Sequence, residues 1–96
     1  TNEGVDEMPN LLGPDTLIAE YPATPAGQLA YLVDLTQLVV DKGGVGVVYW
    51  EPAWVSTGCK TRWGTGSSWE NAAWFDLKEH EALPAFEFLR RQYRPR

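Results

Sequence analysis

From Leu29 to Val40 the apolar residues Leu29, Leu32, Val33, Val39 and Val40, together with Thr36, recur at helical spacing and form one stripe. Thr24 offers a hydroxyl for the N-cap, and Pro25 takes the first helical position, where a missing N–H costs nothing. Gly43-Gly44 supplies a left-handed stop, so the pattern predicts a helix between these two signals. The period then changes. Val45-Gly46-Val47-Val48-Tyr49-Trp50 is apolar without alternation, the pattern of a parallel strand covered on both faces. Pro52 ends its capacity to pair, and residues 51–82 are a long run of Gly, Ser, Thr and aromatics with little regular structure predicted. A second helix is predicted from Leu83-Pro84 to about Tyr93, with Ala85, Phe88 and Leu89 on one face and Glu87, Arg90 and Arg91 more exposed. The first two dozen residues have no sustained period and read as a loop.

Helix, glycine stop and buried strand make an α/β unit. A single parallel strand leaves its backbone N–H and C=O groups without partners, which is too costly inside a core, so the rest of the sheet is expected elsewhere. A long irregular segment is out of place in a compact small domain and normal on the active face of a large barrel. Both features predict one piece of a larger α/β fold. At 96 residues the chain is also well short of the roughly 250 that a (β/α)-barrel needs.

Composition narrows the partners. Hydrophobic residues at 44% and charged residues at 22% fit a globular protein with a core rather than a disordered one. No apolar run approaches the roughly 20 residues of a membrane span, and Thr1-Asn2-Glu3-Gly4 lacks the charge and apolar core of a signal peptide. The net charge is −5 and the basic cluster Arg90, Arg91, Arg94 and Arg96 sits at one end, so neither a nucleic acid nor a membrane is an expected partner. The single cysteine, Cys59, fits a cytosolic thiol or a secreted protein whose second cysteine lies outside this chain. Gly64-Thr65-Gly66-Ser67-Ser68 lacks the lysine and the preceding strand of a phosphate loop.

The five tryptophans, Trp50, Trp54, Trp63, Trp69 and Trp74, all fall between residues 50 and 74. Indole faces stack on the C–H faces of sugar rings while carboxyl, hydroxyl and amide groups bond the sugar hydroxyls, and loops are where such groups are presented. Trp50, Glu51, Trp54, Trp63 and Trp69 are the candidate substrate-binding residues, with Ser67, Ser68, Glu70 and Asn71 nearby in sequence. The competing reading is that the tryptophans pack a loop layer, and it fits Trp74, beside Phe75, best. Glu51 leaves a strand end beside an aromatic, as a glycosidase carboxylate would, yet no second carboxylate stands out. Asp76, Glu79 and Glu81 read as solvated charges, and so does His80 between the last two. No metal-ligand spacing is visible.

Gly46-Val47-Val48-Tyr49-Trp50-Glu51-Pro52-Ala53-Trp54, followed by Gly66-Ser67-Ser68-Trp69-Glu70-Asn71-Ala72-Ala73-Trp74-Phe75-Asp76, resembles the end of glycoside hydrolase family 53, the endo-β-1,4-galactanases. Tyr21-Pro22-Ala23-Thr24-Pro25-Ala26-Gly27-Gln28 resembles that family's lead into its seventh helix, and Ala82-Leu83-Pro84-Ala85 its lead into the eighth. The resemblance implies a secreted or periplasmic (β/α)8 barrel cleaving β-1,4-galactan in pectic arabinogalactan, with two glutamates at the ends of strands 4 and 7. This chain would then be one C-terminal fragment, residues 1–96, holding helix 7, strand 8, the long loop 8 and helix 8 against the rest of its own barrel. It would carry no catalytic residue and be inactive alone, and Glu51 would belong to the substrate site. No cofactor is required by that chemistry. Some bacterial relatives hold calcium between loops 7 and 8; Asp6, Glu7, Ser67 and Asn71 are oxygen donors in the matching region, without ligand spacing in the first loop, so none is assigned. The alternative function is a non-catalytic carbohydrate-binding module using the tryptophan cluster, which would call for a β-sandwich of many short strands.

Overall fold

A computed structural model describes residues 8–10 and 13–96. Its principal element is helix α1, Pro25–Asp41. The start is capped as the sequence dictates: the Thr24 hydroxyl accepts from the Gly27 N–H at 3.0 Å. The end is a Schellman turn, with Gly43 N–H donating to Val40 O at 3.0 Å and Gly44 N–H to Val39 O at 2.8 Å around Gly43 at φ 86°. Gly27 has a separate reason to be glycine. A Cβ there would lie 1.9 Å from the Pro22 carbonyl oxygen, so only a bare backbone lets the preceding loop close against the helix.

Leu32, Trp74, Ala85 and Phe88 form the core, with Val33, Val47, Tyr49 and Phe86 packed against it. Trp74 is its hub, its ring 4.7 Å from Tyr49, 5.1 Å from Phe86 and 5.3 Å from Phe88. Backbone bonds fix Trp74 from both sides: its N–H donates to Pro52 O, and its C=O accepts from Leu83 N–H, each at 2.8 Å. Between them Phe75 bridges Ala82 antiparallel, and Asp76 turns the chain by accepting from the Lys78 and Glu79 N–H groups. Those two donors hold the Asp76 carboxyl below its ordinary range. His80, exposed and at φ 58°, completes the turn as a surface residue.

Two expectations are corrected. The segment 45–50 is extended but unpaired among the described residues, and it is covered on one face only: Val47 and Tyr49 meet the core while Val48 is 96% and Trp50 75% exposed. Period-two geometry sends alternate side chains to opposite faces, and this chain supplies a layer for one of them. The second helix runs Pro84–Arg90 and is 3-10 rather than α. With three residues per turn Ala85 and Phe88 eclipse and are buried together, which swings Leu89, expected on the same face, out to 63% exposure. The long segment has little regular structure, as expected; it contains one small antiparallel hairpin, β1 (Lys60–Thr61) with β2 (Gly64–Thr65). The observed architecture is thus a small α/β arrangement, with α1 packed on the C-terminal 3-10 helix and one two-stranded sheet in the loop.

Beyond Arg90 the chain folds back along α1. Arg94 O accepts from the Gln37 side chain at 2.8 Å, and Asp41 accepts from the Arg96 N–H at 2.8 Å while its carboxylate lies 3.4 Å from the guanidinium. No described helix is long and apolar enough to cross a membrane.

Candidate functional site

Trp50 is 75% exposed at the end of the extended segment, on the face opposite Tyr49. The following residue, Glu51, turns the chain out of the extended conformation at φ 47° and is itself exposed. A non-glycine residue in that region is uncommon and marks a sharp redirection of the backbone, here from the covered segment into the loop.

Trp54 and Trp69 come together across the loop. Their rings stack with centroids 6.3 Å apart and an interplanar angle of 24°, Trp54 half-buried and Trp69 39% exposed. Trp63 stands apart in the turn of the β1–β2 hairpin, 75% exposed, with the Arg62 guanidinium 4.3 Å from its ring centroid. Among the described residues, the structure therefore joins two of the five predicted site residues by ring contact and leaves Trp50, Glu51 and Trp63 presented to solvent nearby in sequence. Trp74, 3% exposed, belongs to the core as the packing reading expected.

Glu70 departs from the sequence reading. Grouped there with groups that could meet a sugar, it is fully buried, and its carboxyl accepts from the Ser56 hydroxyl at 2.5 Å. Ser56 was not singled out at all, since nothing in a serine two residues after Trp54 announces a partner fourteen residues on. Tyr49 and Gln28 were also missed as polar residues: the Tyr49 hydroxyl donates to Ala72 O at 2.6 Å and the Gln28 amide donates to the same oxygen at 3.2 Å. Both tie loop, helix and extended segment together. Burial pushes the Tyr49 phenol above its ordinary value.

A pocket of about 320 Å³ opens on the other side of Tyr49, lined by Leu17, Tyr21, Gln28, Tyr31 and Asn71 among others, and none of the five predicted site residues reaches it. No group of three or more His, Cys, Asp or Glu side chains converges as a metal site among the described residues. Of the oxygen donors considered for calcium, Asp6 and Glu7 lie outside the described residues, and Ser67 and Asn71 are half-buried. Cys59 is exposed with a free thiol.

With this geometry in place, comparison with known proteins decides the family. The profile of glycosyl hydrolase family 53 matches residues 1–89 of the chain. The chain belongs to glycosyl hydrolase family 53. It is 54% identical over 94 residues to an arabinogalactan endo-beta-1,4-galactanase of Cellvibrio japonicus, an alignment covering 97% of this chain and 25% of the relative. It is 35% identical over 72 residues to arabinogalactan endo-beta-1,4-galactanase A of Emericella nidulans, covering 72% of this chain and 19% of that protein. An endo-beta-1,4-galactanase of Bacillus subtilis is 39% identical over 62 residues, 54% of this chain and 14% of that protein. The family 53 chain thus spans a quarter or less of these relatives. No solved structure matches it.

Proposed function

We propose that this family 53 chain forms part of the substrate cleft of a secreted or periplasmic endo-β-1,4-galactanase, as the eighth strand, its long loop and the flanking helices of a (β/α)8 barrel. The observation that carries this is the half-covered extended segment ending in Trp50. One face packs on the helical layer through Val47 and Tyr49, and the other, with Val48 and Trp50, is bare, which is how a barrel strand divides its side chains between helices and interior. Trp50 and Glu51 then stand at the C-terminal end of that strand, where barrel enzymes place substrate groups. The rival binding-module reading calls for a β-sandwich, and the sheet among the described residues is one hairpin of two residues per strand.

In this reading the substrate is β-1,4-galactan, a polymer with apolar C–H faces for the indoles and hydroxyls for the loop's polar groups. Two glutamates supplied by the fourth and seventh strands perform the retaining reaction, one attacking the anomeric carbon while the other protonates the leaving oxygen and later activates water. The reaction needs no cofactor.

The test uses a hybrid in which this chain replaces the matching quarter of the Cellvibrio relative. Trp50→Ala is expected to lower kcat/KM on galactan by about tenfold through lost stacking. Its melting behaviour should stay within about 0.5 kcal/mol of the parent, because the ring is exposed. Unchanged kcat/KM would remove Trp50 from the cleft. Glu51→Gln in the same hybrid is expected to reduce turnover without abolishing it, and added azide should not restore the loss, since Glu51 is neither nucleophile nor acid. A galactosyl azide product would place Glu51 in the catalytic pair.

A further inference from the structure

Buried carboxyl groups are uncommon because desolvation penalises them unless they are held by specific hydrogen bonds, and the fully buried Glu70 is one that the proposed chemistry does not use. Its surroundings show what it does. Two stretches of the loop run antiparallel, residues 52–56 and 69–74, and two bonds join them. At one end the Trp74 N–H donates to Pro52 O at 2.8 Å, and at the other the Ser56 hydroxyl donates to the Glu70 carboxyl at 2.5 Å. Trp54 lies between the joined positions of the first stretch, and Trp69 immediately precedes Glu70 on the second. Trp54 thus lies within the span these bonds join and Trp69 at its edge, beside Glu70, where the two rings stack. Glu70 is itself held in a 3-10 turn, Glu70–Ala72, whose bonds run from Ala72 N–H to Trp69 O at 2.9 Å and from Ala73 N–H to Glu70 O at 3.2 Å.

We infer that Ser56 and Glu70 are positioning residues that set the Trp54–Trp69 stack as a rigid sugar-binding platform, an inference that rests on the galactan-cleft reading above. The Pro52–Trp74 backbone bond joins the two stretches away from the stacked rings, and the Ser56–Glu70 bond joins them beside Trp69. A short bond from the half-buried Ser56 hydroxyl to the fully buried Glu70 carboxyl resists slippage there, because moving the hydroxyl away costs a buried carboxyl a hydrogen bond. Without the bond, the two indoles present a changing surface, and sugar affinity falls although both rings remain.

The experiment has two arms. In the first, the hybrid with the Cellvibrio relative is examined by circular dichroism, where two indoles held close together give an exciton couplet near the indole bands, identified as the part lost in Trp69→Phe. Ser56→Ala is expected to lose the couplet while the helical signal is retained, and Ser56→Thr, which keeps the hydroxyl, should restore it. Glu70→Gln, which keeps an acceptor for the Ser56 hydroxyl, should retain most of it. In the second arm the same variants are assayed in the Cellvibrio hybrid with galactotetraose. Ser56→Ala should raise KM about tenfold with kcat little changed, and Ser56→Thr should recover it.

A parent hybrid whose spectrum is unchanged by Trp69→Phe overturns the inference, as does a couplet that survives both Ser56→Ala and Glu70→Ala. A lost couplet with unaltered KM shows that the bond orders the rings but not a substrate platform, which also overturns it. Should Ser56→Ala fail to fold, the Ser56→Thr and Glu70→Gln results decide. If Trp54→Ala and Trp69→Ala leave KM untouched in the hybrid, the cleft reading of this loop fails on its own account, separately from the couplet result.

Discussion

Trp74→Ala in the hybrid with the Cellvibrio relative is expected to lower stability by about 3–5 kcal/mol, the range for removing a large buried aromatic ring. Trp74 is 3% exposed and its ring meets Tyr49, Phe86 and Phe88, which come from the extended segment and the C-terminal 3-10 helix. Its removal leaves a cavity where these elements meet, and the surrounding backbone, tied at Pro52 and Leu83, has little freedom to collapse into it. Natural domains are stable by only about 5–15 kcal/mol, so a loss of this size should move the melt well below that of the parent hybrid. Denaturant melts followed by near-UV circular dichroism measure this. Trp63→Ala, which removes an exposed ring from the hairpin turn, should shift the same melt by no more than about 0.5 kcal/mol. Equal losses at the two positions would mean that the core is not centred on Trp74.

The second large effect is on activity. Purified chain should release no reducing ends from β-1,4-galactan, whereas the hybrid with the Cellvibrio relative should release them. Family membership is carried by residues 1–89, yet the chain spans 25% of that relative, and the resemblance places both glutamates of the retaining pair outside the matched quarter. Enzymes of this kind accelerate hydrolysis by about 10⁶-fold or more, and a chain without the acid and the nucleophile lacks that whole factor. Reducing-end assays over long incubation, with the host's own glycosidases excluded by a mock purification, settle the point. Hydrolysis by the chain itself would mean that a working carboxylate pair lies within it, and Glu51 would be the first residue to examine.

Flat aromatics on a Gly- and Ser-rich segment after an apolar run marked Trp50, Trp54, Trp63 and Trp69 as candidates, and what the structure adds is that Trp50 and Trp63 are largely exposed while Trp54 and Trp69 stack. The same reasoning assigned Trp74 to packing because of its neighbour Phe75, and its burial agrees. Glu70 shows the limit of such reading. A glutamate between a tryptophan and an asparagine on a loop has the composition of a binding group, and only the position of Ser56 across the loop decides that its carboxyl points inward.

Local chemistry determined the elements whose causes are local. Thr24 and Pro25 began α1 and Gly43-Gly44 ended it, because caps and left-handed turns depend on residues within one turn of each other. The family, too, was readable from short runs of residues around Trp50 and Trp69. Tertiary structure decided what depends on distant neighbours. The apolar run 45–50 reads as a strand covered on both faces, but a ladder needs a partner and a covered face needs a layer, and the chain supplies neither for Val48 and Trp50. The C-terminal segment has helix-forming residues whichever helix it adopts. Burying Ala85 and Phe88 on one line against α1 and Trp74 accompanies the tighter three-residue turn, which sends Leu89 into solvent.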